Sequence, residues 1–484
     1  MSNFLIKFFK FPKVLILLGL LSLTLVEVDR RTYKSYKLTN FDNTIEVIQS
    51  ITPSTEYTII CHGFAGSKEM MRQLAYDIAN AGSNALLFDF IGHGSNRQRL
   101  INKPTEISGT TQQLVDQVSE IIKFIYEKFG NEISISLVGH SMASDIVIRA
   151  STDKRIKSVV AISPYSTGIT YDFPKNLLLI SGQFEKHLRS HALEMVKAFN
   201  PQAEENTEYA SKNVRRKASF IKNTGHVSVI YSSDTSRIII DWLKLKNYNR
   251  PFWLTQIGWI IIGITLIIIG ISRLNFNLAK KNLFNFENKR ALSAVFFATA
   301  FSISAGLIKI NFFPIYGFEK IAIYFGLLGA FAYLFSTDFQ IKKFKFNAGL
   351  CLILILFFGL LCFLINRYIG SFALNENRIY AFITLIVPIS LFCLVIEKLI
   401  ASSSILVALL LRSLPIFGFS VLLILFPEEY GLMFTTLLIY VLYFVVFGYI
   451  GKHQRKIIGH LEVGLTHGIF LSFSFAATNP IFSV

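Results

Sequence analysis

Beyond residue 251 the chain is written in long apolar runs, and this constrains its fold more than any other feature. The runs cover 252–272, 291–309, 321–336, 348–366, 379–396, 404–426 and 431–450, with a weaker eighth over 457–476. Most approach the ~20 residues that a helix needs to cross the hydrocarbon core of a bilayer. Lipid offers backbone N–H and C=O groups no partner, so such segments are predicted to be helices. The text before them differs: from Leu38 to Leu245 polar and apolar residues are mixed as in a globular domain. Asn247–Pro251 is the expected linker. The predicted organisation is an N-terminal segment over 1–30, an α/β domain over 35–246, and an all-α transmembrane bundle of seven or eight helices over 251–484.

Val14–Val26 is a further apolar run, preceded by Lys7, Lys10 and Lys13. That layout matches a signal peptide or a signal anchor. No small-x-small cleavage site follows, since the flank reads Leu25-Val26-Glu27-Val28-Asp29, so an uncleaved anchor is expected. Either reading sends the domain that follows out of the cytoplasm. The later loops point the same way. Alternate ones carry Arg273, Lys280, Lys281, Lys289 and Arg290; then Lys342, Lys343 and Lys345; then Lys398; then Lys452, Arg455 and Lys456. The loops between them carry Lys309 and Lys320, then Arg367 and Arg378, then none in Pro427–Tyr430. The basic-rich set belongs in the cytoplasm. The expected location is a multi-pass cell-membrane protein with its globular domain outside.

The net charge of +17 raises the question of nucleic-acid binding. The placement argues against it: the basic residues fall in short clusters between apolar runs, where the positive-inside rule wants them, and not on one soluble face. Of the four cysteines, only Cys61 lies in the globular part. That part cannot form an internal disulfide, and ~210 residues are ample for a self-sufficient core.

Within the globular part, apolar strands alternate with helix-length stretches. Tyr57–Cys61, Asn84–Phe90, Ile133–Val138, Ser158–Ile162 and Leu177–Ile180 read as strands; Ser67–Ala81 and Thr110–Phe129 read as helices. This alternation predicts βαβ units and a mostly parallel sheet covered on both faces. After the Ile133–Val138 strand comes Gly139-His140-Ser141-Met142-Ala143. A serine between strand and helix, with small residues two before and two after, forms a nucleophile elbow. The bend is so sharp that a bulky neighbour would collide with backbone. Ala143 stands where glycine is usual. Alone the pattern is weak, because an ordinary strand-to-helix turn can produce it. Its companions give it weight. His62-Gly63-Phe64 follows an earlier strand, where an oxyanion loop belongs, so the amides of Phe64 and Met142 are the expected oxyanion donors. Glu185 follows a late strand, where the acid belongs, and His226 comes later still, where the base belongs. Asp172 and Asp234 are the alternative acids.

Three segments carry a family likeness: Cys61–Ser67 reads CHGFAGS, Asp89–Gly94 reads DFIGHG, and residues 139–143 read GHSMA. Together they resemble the oxyanion loop, the Asp-x-x-Gly-His-Gly turn and the nucleophile elbow of α/β-hydrolase-fold esterases and lysophospholipases. The resemblance covers about residues 40–245 and stops at the membrane half. It implies an α/β-hydrolase domain with Ser141 as nucleophile, His226 as general base and Glu185 as the residue that orients His226. Cleavage of an ester or related acyl bond through an acyl-enzyme is expected, with no cofactor or metal. An acyltransferase using the same residues, and an inactive hydrolase-like domain on a transporter or assembly protein, are the competing readings.

The remaining histidines read as structural. His62 and His93 belong to their turns, and His140 shapes the pocket. His187 and His191 stand four apart on a predicted helix, a spacing that can hold a metal, but no third ligand is evident. Only Ser163–Lys175 separates two late strands, which leaves no room for a lid. An open site beside a bilayer suits lipid-derived or acylated substrates. In the membrane half, Arg412 interrupts an apolar run near Pro415, and His460, Glu462 and His467 cluster in the last run. Charges inside a membrane are expensive and commonly functional.

Overall fold

The computed structural model describes residues 11–40, 43–101, 106–211, 213–245, 256–274, 287–309, 315–336, 348–401, 403–457 and 459–483. The expected linker 247–251 lies outside them. The chain forms two compact units, and neither is continuous. One comprises Leu20–Ile264 with Arg367–Ser371. The other comprises Met1–Gly19, Thr265–Asn366 and Phe372–Val484.

The first unit is built on a nine-stranded sheet: β1 (Ser35–Asn40), β2 (Asn43–Ile48), β3 (Glu56–Cys61), β4 (Asn84–Leu87), β5 (Ser134–His140), β6 (Ile156–Ile162), β7 (Asn176–Gly182), β8 (Glu208–Ser211) and β9 (Val214–Ile221). Their order is β1-β2-β4-β3-β5-β6-β7-β9-β8. The six strands from β4 to β9 in that order run parallel, and antiparallel hairpins close both flanks. The central strands explain the parallel arrangement. Ile59, Ile60, Leu137, Val138, Val160, Ile162, Leu178 and Ile180 are fully buried, so both faces of the sheet must be covered. The cover comes from α2 (Arg72–Asn80), α3 (Gln112–Phe129), α4 (Met142–Ala150), α5 (Lys186–Lys197) and α6 (Ser233–Trp242). The amphipathic stretch expected over 110–129 is α3, which buries Leu114, Val118, Ile121, Ile122 and Ile125. An N-terminal helix, α1 (Pro12–Arg31), precedes the sheet.

Four strands, β1, β2, β8 and β9, escaped the sequence reading, and for β9 the reason is physical. β9 reads Val-Arg-Arg-Lys-Ala-Ser-Phe-Ile, and its basic start hides the strand pattern. Arg216 is nonetheless fully buried there. It donates to the carbonyls of Pro174 and of Thr170, the latter at 3.0 Å. These bonds pin the 163–175 connection, which contains neither helix nor strand.

Among the described residues the second unit is helical, apart from one isolated bridge between Ile315 and Ser483. Its described elements include part of α7 (Gln256–Ser272), then α8 (Asn288–Ser302), α9 (Phe318–Phe335), α10 (Ala348–Tyr368), α11 (Glu376–Ile400), α12 (Ile405–Leu425), α13 (Phe434–Ile457) and α14 (His460–Thr478). Seven helices among the described residues are long and apolar enough to cross a membrane. Small residues let them approach closely. On α14, Gly464 and Gly468 stand four apart; a Cβ on them would lie 2.8 Å from Leu394 Cα and 2.4 Å from Ser390 Cα of α11. Arg378 is buried at the start of α11 and donates to the carbonyls of Ala476 and Asn479 at 2.8 and 2.9 Å. It caps the end of α14.

Candidate active site

The ends of the parallel strands carry the functional side chains. β5 ends at His140, and α4 begins at Met142. Ser141 lies between them at φ 56°, ψ −119°, a region that side chains other than glycine avoid. Its amide donates to Ile162 O at 2.8 Å, which ties the bend to β6. The space explains the flanking residues. A Cβ at Gly139 would fall 2.3 Å from Ala143 O, so glycine is required there. Position 143 accepts alanine, which packs fully buried.

Ser141, His226 and Glu185 come together in one hydrogen-bonded chain. His226 Nε2 lies 2.8 Å from Ser141 Oγ, and His226 Nδ1 lies 2.6 Å from Glu185 Oε1. Glu185 sits in the turn after β7, and His226 in the turn after β9, so parallel neighbours bring the two together. The His226 side chain is 46% exposed and the Glu185 side chain 5%. The imidazole therefore opens to solvent while the carboxylate is sealed behind it. The second oxygen of Glu185 accepts from Gly182 N at 2.6 Å and from Ser163 Oγ at 2.9 Å. Burial pushes its pKa up, but the bonds from His226, Gly182 and Ser163 outweigh burial and hold it below the usual carboxylate value. Glu185 is thus an anion suited to orienting an imidazole. Ser163, itself at φ 52°, is the partner that sequence reading missed.

The alternative acids lie elsewhere. Asp172 pairs with Thr170 Oγ1 at 3.2 Å, and Asp234 pairs with Arg237 at 3.1 Å.

The Cys61–Ser67 loop, the expected oxyanion loop, follows β3, which pairs directly with β5. A Cβ on Gly63 would stand 3.0 Å from Ser141 Cβ, so the loop backbone lies against Ser141. Phe64 follows immediately. Met142 opens α4, where first-turn amides have no intrahelical partner. The loop is locked from behind. His62 Nε2 accepts from Phe90 N at 3.0 Å, so its Nδ1 carries the proton and donates to Gly63 O at 2.8 Å. Asp89 is buried and accepts from Lys68 N, Lys68 Nζ, Ser95 N and Ser95 Oγ at 2.8, 2.5, 2.9 and 2.7 Å. Burial opposes its charge, but the Lys68 ammonium outweighs burial and holds Asp89 well below the usual carboxylate range. The Asp89-to-Gly94 turn is therefore anchored to the oxyanion loop through Lys68. Gly94, at φ 52°, lets the turn close over Asp89, because a Cβ there would overlap the carboxylate.

His140 is buried and bonds His226 O through Nε2 at 2.8 Å. Burial lowers its pKa to about 4, so it stays neutral and braces the loop that carries His226. His191 stacks on Tyr165 with ring centroids 4.7 Å apart. Exposed apolar side chains border the site: Phe184 beside Glu185, Tyr165 after β6, and Val227 beside His226.

Residues 53–234 match the family model described as serine aminopeptidase, S33. No curated protein matches the chain. Among solved structures, a dienelactone hydrolase from Anabaena variabilis is 12% identical, covers 45% of this chain and 100% of its own, and has a TM-score of 0.34. An esterase from Pyrococcus furiosus is 19% identical, with coverage of 44% and 92% and a TM-score of 0.33. An α/β serine hydrolase homologue from Coxiella burnetii is 16% identical, with coverage of 43% and 95% and a TM-score of 0.31. Residues 53–234 thus form an α/β hydrolase domain matched by the S33 family model, and an all-helical region with apolar helices follows it.

Proposed function

We propose that the chain is a membrane-embedded serine hydrolase that cleaves an ester or related acyl bond on a lipid-derived or acylated substrate. The observation that carries this reading is the unbroken chain Ser141 Oγ, His226, Glu185, with bonds of 2.8 and 2.6 Å. In the proposed mechanism Ser141 Oγ attacks the acyl carbonyl while His226 Nε2 takes its proton. The amides of Phe64 and Met142 receive the developing oxyanion. His226 then returns the proton to the leaving group, and water attacks the acyl-enzyme with the same base. Glu185 keeps His226 in the tautomer whose Nε2 faces the serine.

The apolar side chains of Phe184, Tyr165 and Val227 beside the site support a hydrophobic acyl chain, and the lidless 163–175 connection supports an open approach. The seven apolar helices support a bilayer as the working environment. The charge asymmetry of the loops supports an extracytoplasmic hydrolase domain.

The test is labelling of the purified full chain with a fluorophosphonate. Labelling that disappears in Ser141→Ala is expected. Folded protein that takes no label would instead favour an inactive domain on a transport or assembly protein. Product analysis with added alcohols separates hydrolysis from acyl transfer.

A further inference from the structure

The helical unit holds a buried charge cluster that the proposed hydrolysis does not use. Glu397 stands three residues before the end of α11, its side chain 2% exposed. Two guanidinium groups meet its carboxylate. Arg412 of α12 donates from Nη2 to Oε1 at 2.7 Å, and Arg455 of α13 donates from Nη1 to Oε2. His467 of α14 is fully buried with Nδ1 3.5 Å from the same Oε1, and its Nε2 meets Gln454 Oε1 at 3.3 Å. Among the described residues, that Nδ1 makes no hydrogen bond.

Among the described residues the charges of this cluster do not balance. Among the described residues, Glu397 is the one carboxylate within ion-pair distance of Arg412 or Arg455. A guanidinium keeps its proton in a protein, so the surplus positive charge cannot be relieved by titration of either arginine. A buried surplus charge is strongly disfavoured and calls for a counterion. The geometry leaves donors for one. Each guanidinium has five N–H groups, and each spends one on Glu397. Glycines on α13 let the two guanidiniums and His467 pack close to the helix backbone. A Cβ at Gly451 would lie 3.0 Å from Arg455 Nη1 and 3.7 Å from Arg412 Nη2; one at Gly448 would lie 2.7 Å from Arg412 Nη1. The arginines are also less sealed than their partners, at 12% and 8% side-chain exposure against 2% for Glu397 and none for His467. α11 ends and α12 begins at one short connection, and α13 ends and α14 begins at another. The Glu397–Arg455 contact brings these connections together at one end of the bundle. Arg412 and His467 each lie seven residues into their helices, or about 10 Å from that end. That is within reach of a headgroup or ion entering there.

We propose that Arg412 and Arg455 form an anion site that takes a tetrahedral phosphate group, presented either by an anionic phospholipid or as free phosphate. Glu397 spreads the two guanidiniums and removes part of their charge, so the bound anion can exchange.

The test uses the full chain purified in detergent, with three probes: inorganic phosphate, phosphatidylglycerol and phosphatidylcholine. Native mass spectrometry reads retained lipid, and thermal melting reads phosphate. Selective retention of phosphatidylglycerol supports the lipid source; a rise in melting temperature with phosphate over chloride supports the free ion. Arg455→Gln leaves the balanced Arg412–Glu397 pair and should keep the fold while weakening binding roughly ten- to hundredfold. Glu397→Gln leaves both guanidiniums unopposed. It should melt lower in chloride and recover with whichever phosphate source binds the wild type. A purely structural ion network gives another result: equal retention of both lipids, no response of the wild type to phosphate, and no recovery of Glu397→Gln. That result overturns the proposal.

Discussion

The α/β unit and the helical unit both bury carboxylates, but they satisfy them by different means. In the α/β unit the backbone does much of the work. Glu185 accepts from Gly182 N, and Asp89 accepts from the amides of Lys68 and Ser95, because strand ends and loops leave amides unspent. In the helical unit the amides around Glu397 are consumed by the helix itself, and its hydrogen bonds come from side chains on two other helices. The first arrangement is fixed once neighbouring loops at the strand ends have folded. The second exists only when several helices have assembled. A catalytic acid benefits from the first kind of support, whereas a ligand site or an assembly lock can rest on the second.

The largest effect belongs to Ser141→Ala and His226→Ala, each expected to lower kcat for ester hydrolysis by about 10⁴–10⁶. Purified variants that retain activity would remove the reason for regarding the α/β unit as catalytic. Glu185→Gln should cost less, about 10²–10⁴ in kcat, because serine and imidazole remain while the orienting charge is lost. If Asp172→Asn abolishes turnover and Glu185→Gln does not, the backbone-held carboxylate is not the working acid. In the helical unit, Glu397→Leu strands two guanidiniums and should destabilise the protein by about 3–5 kcal/mol, read as a lower melting temperature in phosphate-free detergent.

His140 contributes to the pH response of the α/β unit. Its folded pKa of about 4 lies below the unfolded value of about 6.5, so the unfolded chain binds the proton first. Its contribution is fully present above pH ~6.5 and is lost as pH falls toward ~4, amounting to about 3 kcal/mol in all. Chemical denaturation between pH 7 and 4 should show this slope, and His140→Gln should flatten it. Ser163→Ala is the mildest test. Losing one neutral donor to Glu185 should cost about 1 kcal/mol, read as a less than tenfold fall in kcat.

What was legible in the sequence is what lies close together along the chain. The elbow at 139–143, the loop at 61–67 and the turn at 89–94 announce themselves because each joins a strand end to a tight bend, and bends demand particular small residues. The order of Ser141, Glu185 and His226 then followed from the strand order. Support that spans sequence was hidden. Ser163 reaches Glu185 across 22 residues and only through a left-handed backbone. Lys68 reaches Asp89 across 21. The last apolar run showed His460, Glu462 and His467 as a group. The assembled helices instead gather His467 with Arg412, Arg455 and Glu397, because helical periodicity says which residues share a face and not which neighbour that face meets.

The hydrolase unit also includes Arg367–Ser371. Arg367 forks onto Glu27 at 2.7 and 3.0 Å and offers its carbonyl to Arg30 and Arg72, while Ser371 N donates to Ser67 Oγ beside the oxyanion loop. A chain emerging from the ribosome must therefore reach residue 371 before this unit has all its parts. The sheet can form much earlier, but the loop that holds Ser67 waits for a segment made more than a hundred residues after the last strand. Synthesis order thus separates folding of the sheet from completion of the surroundings of its proposed reaction centre.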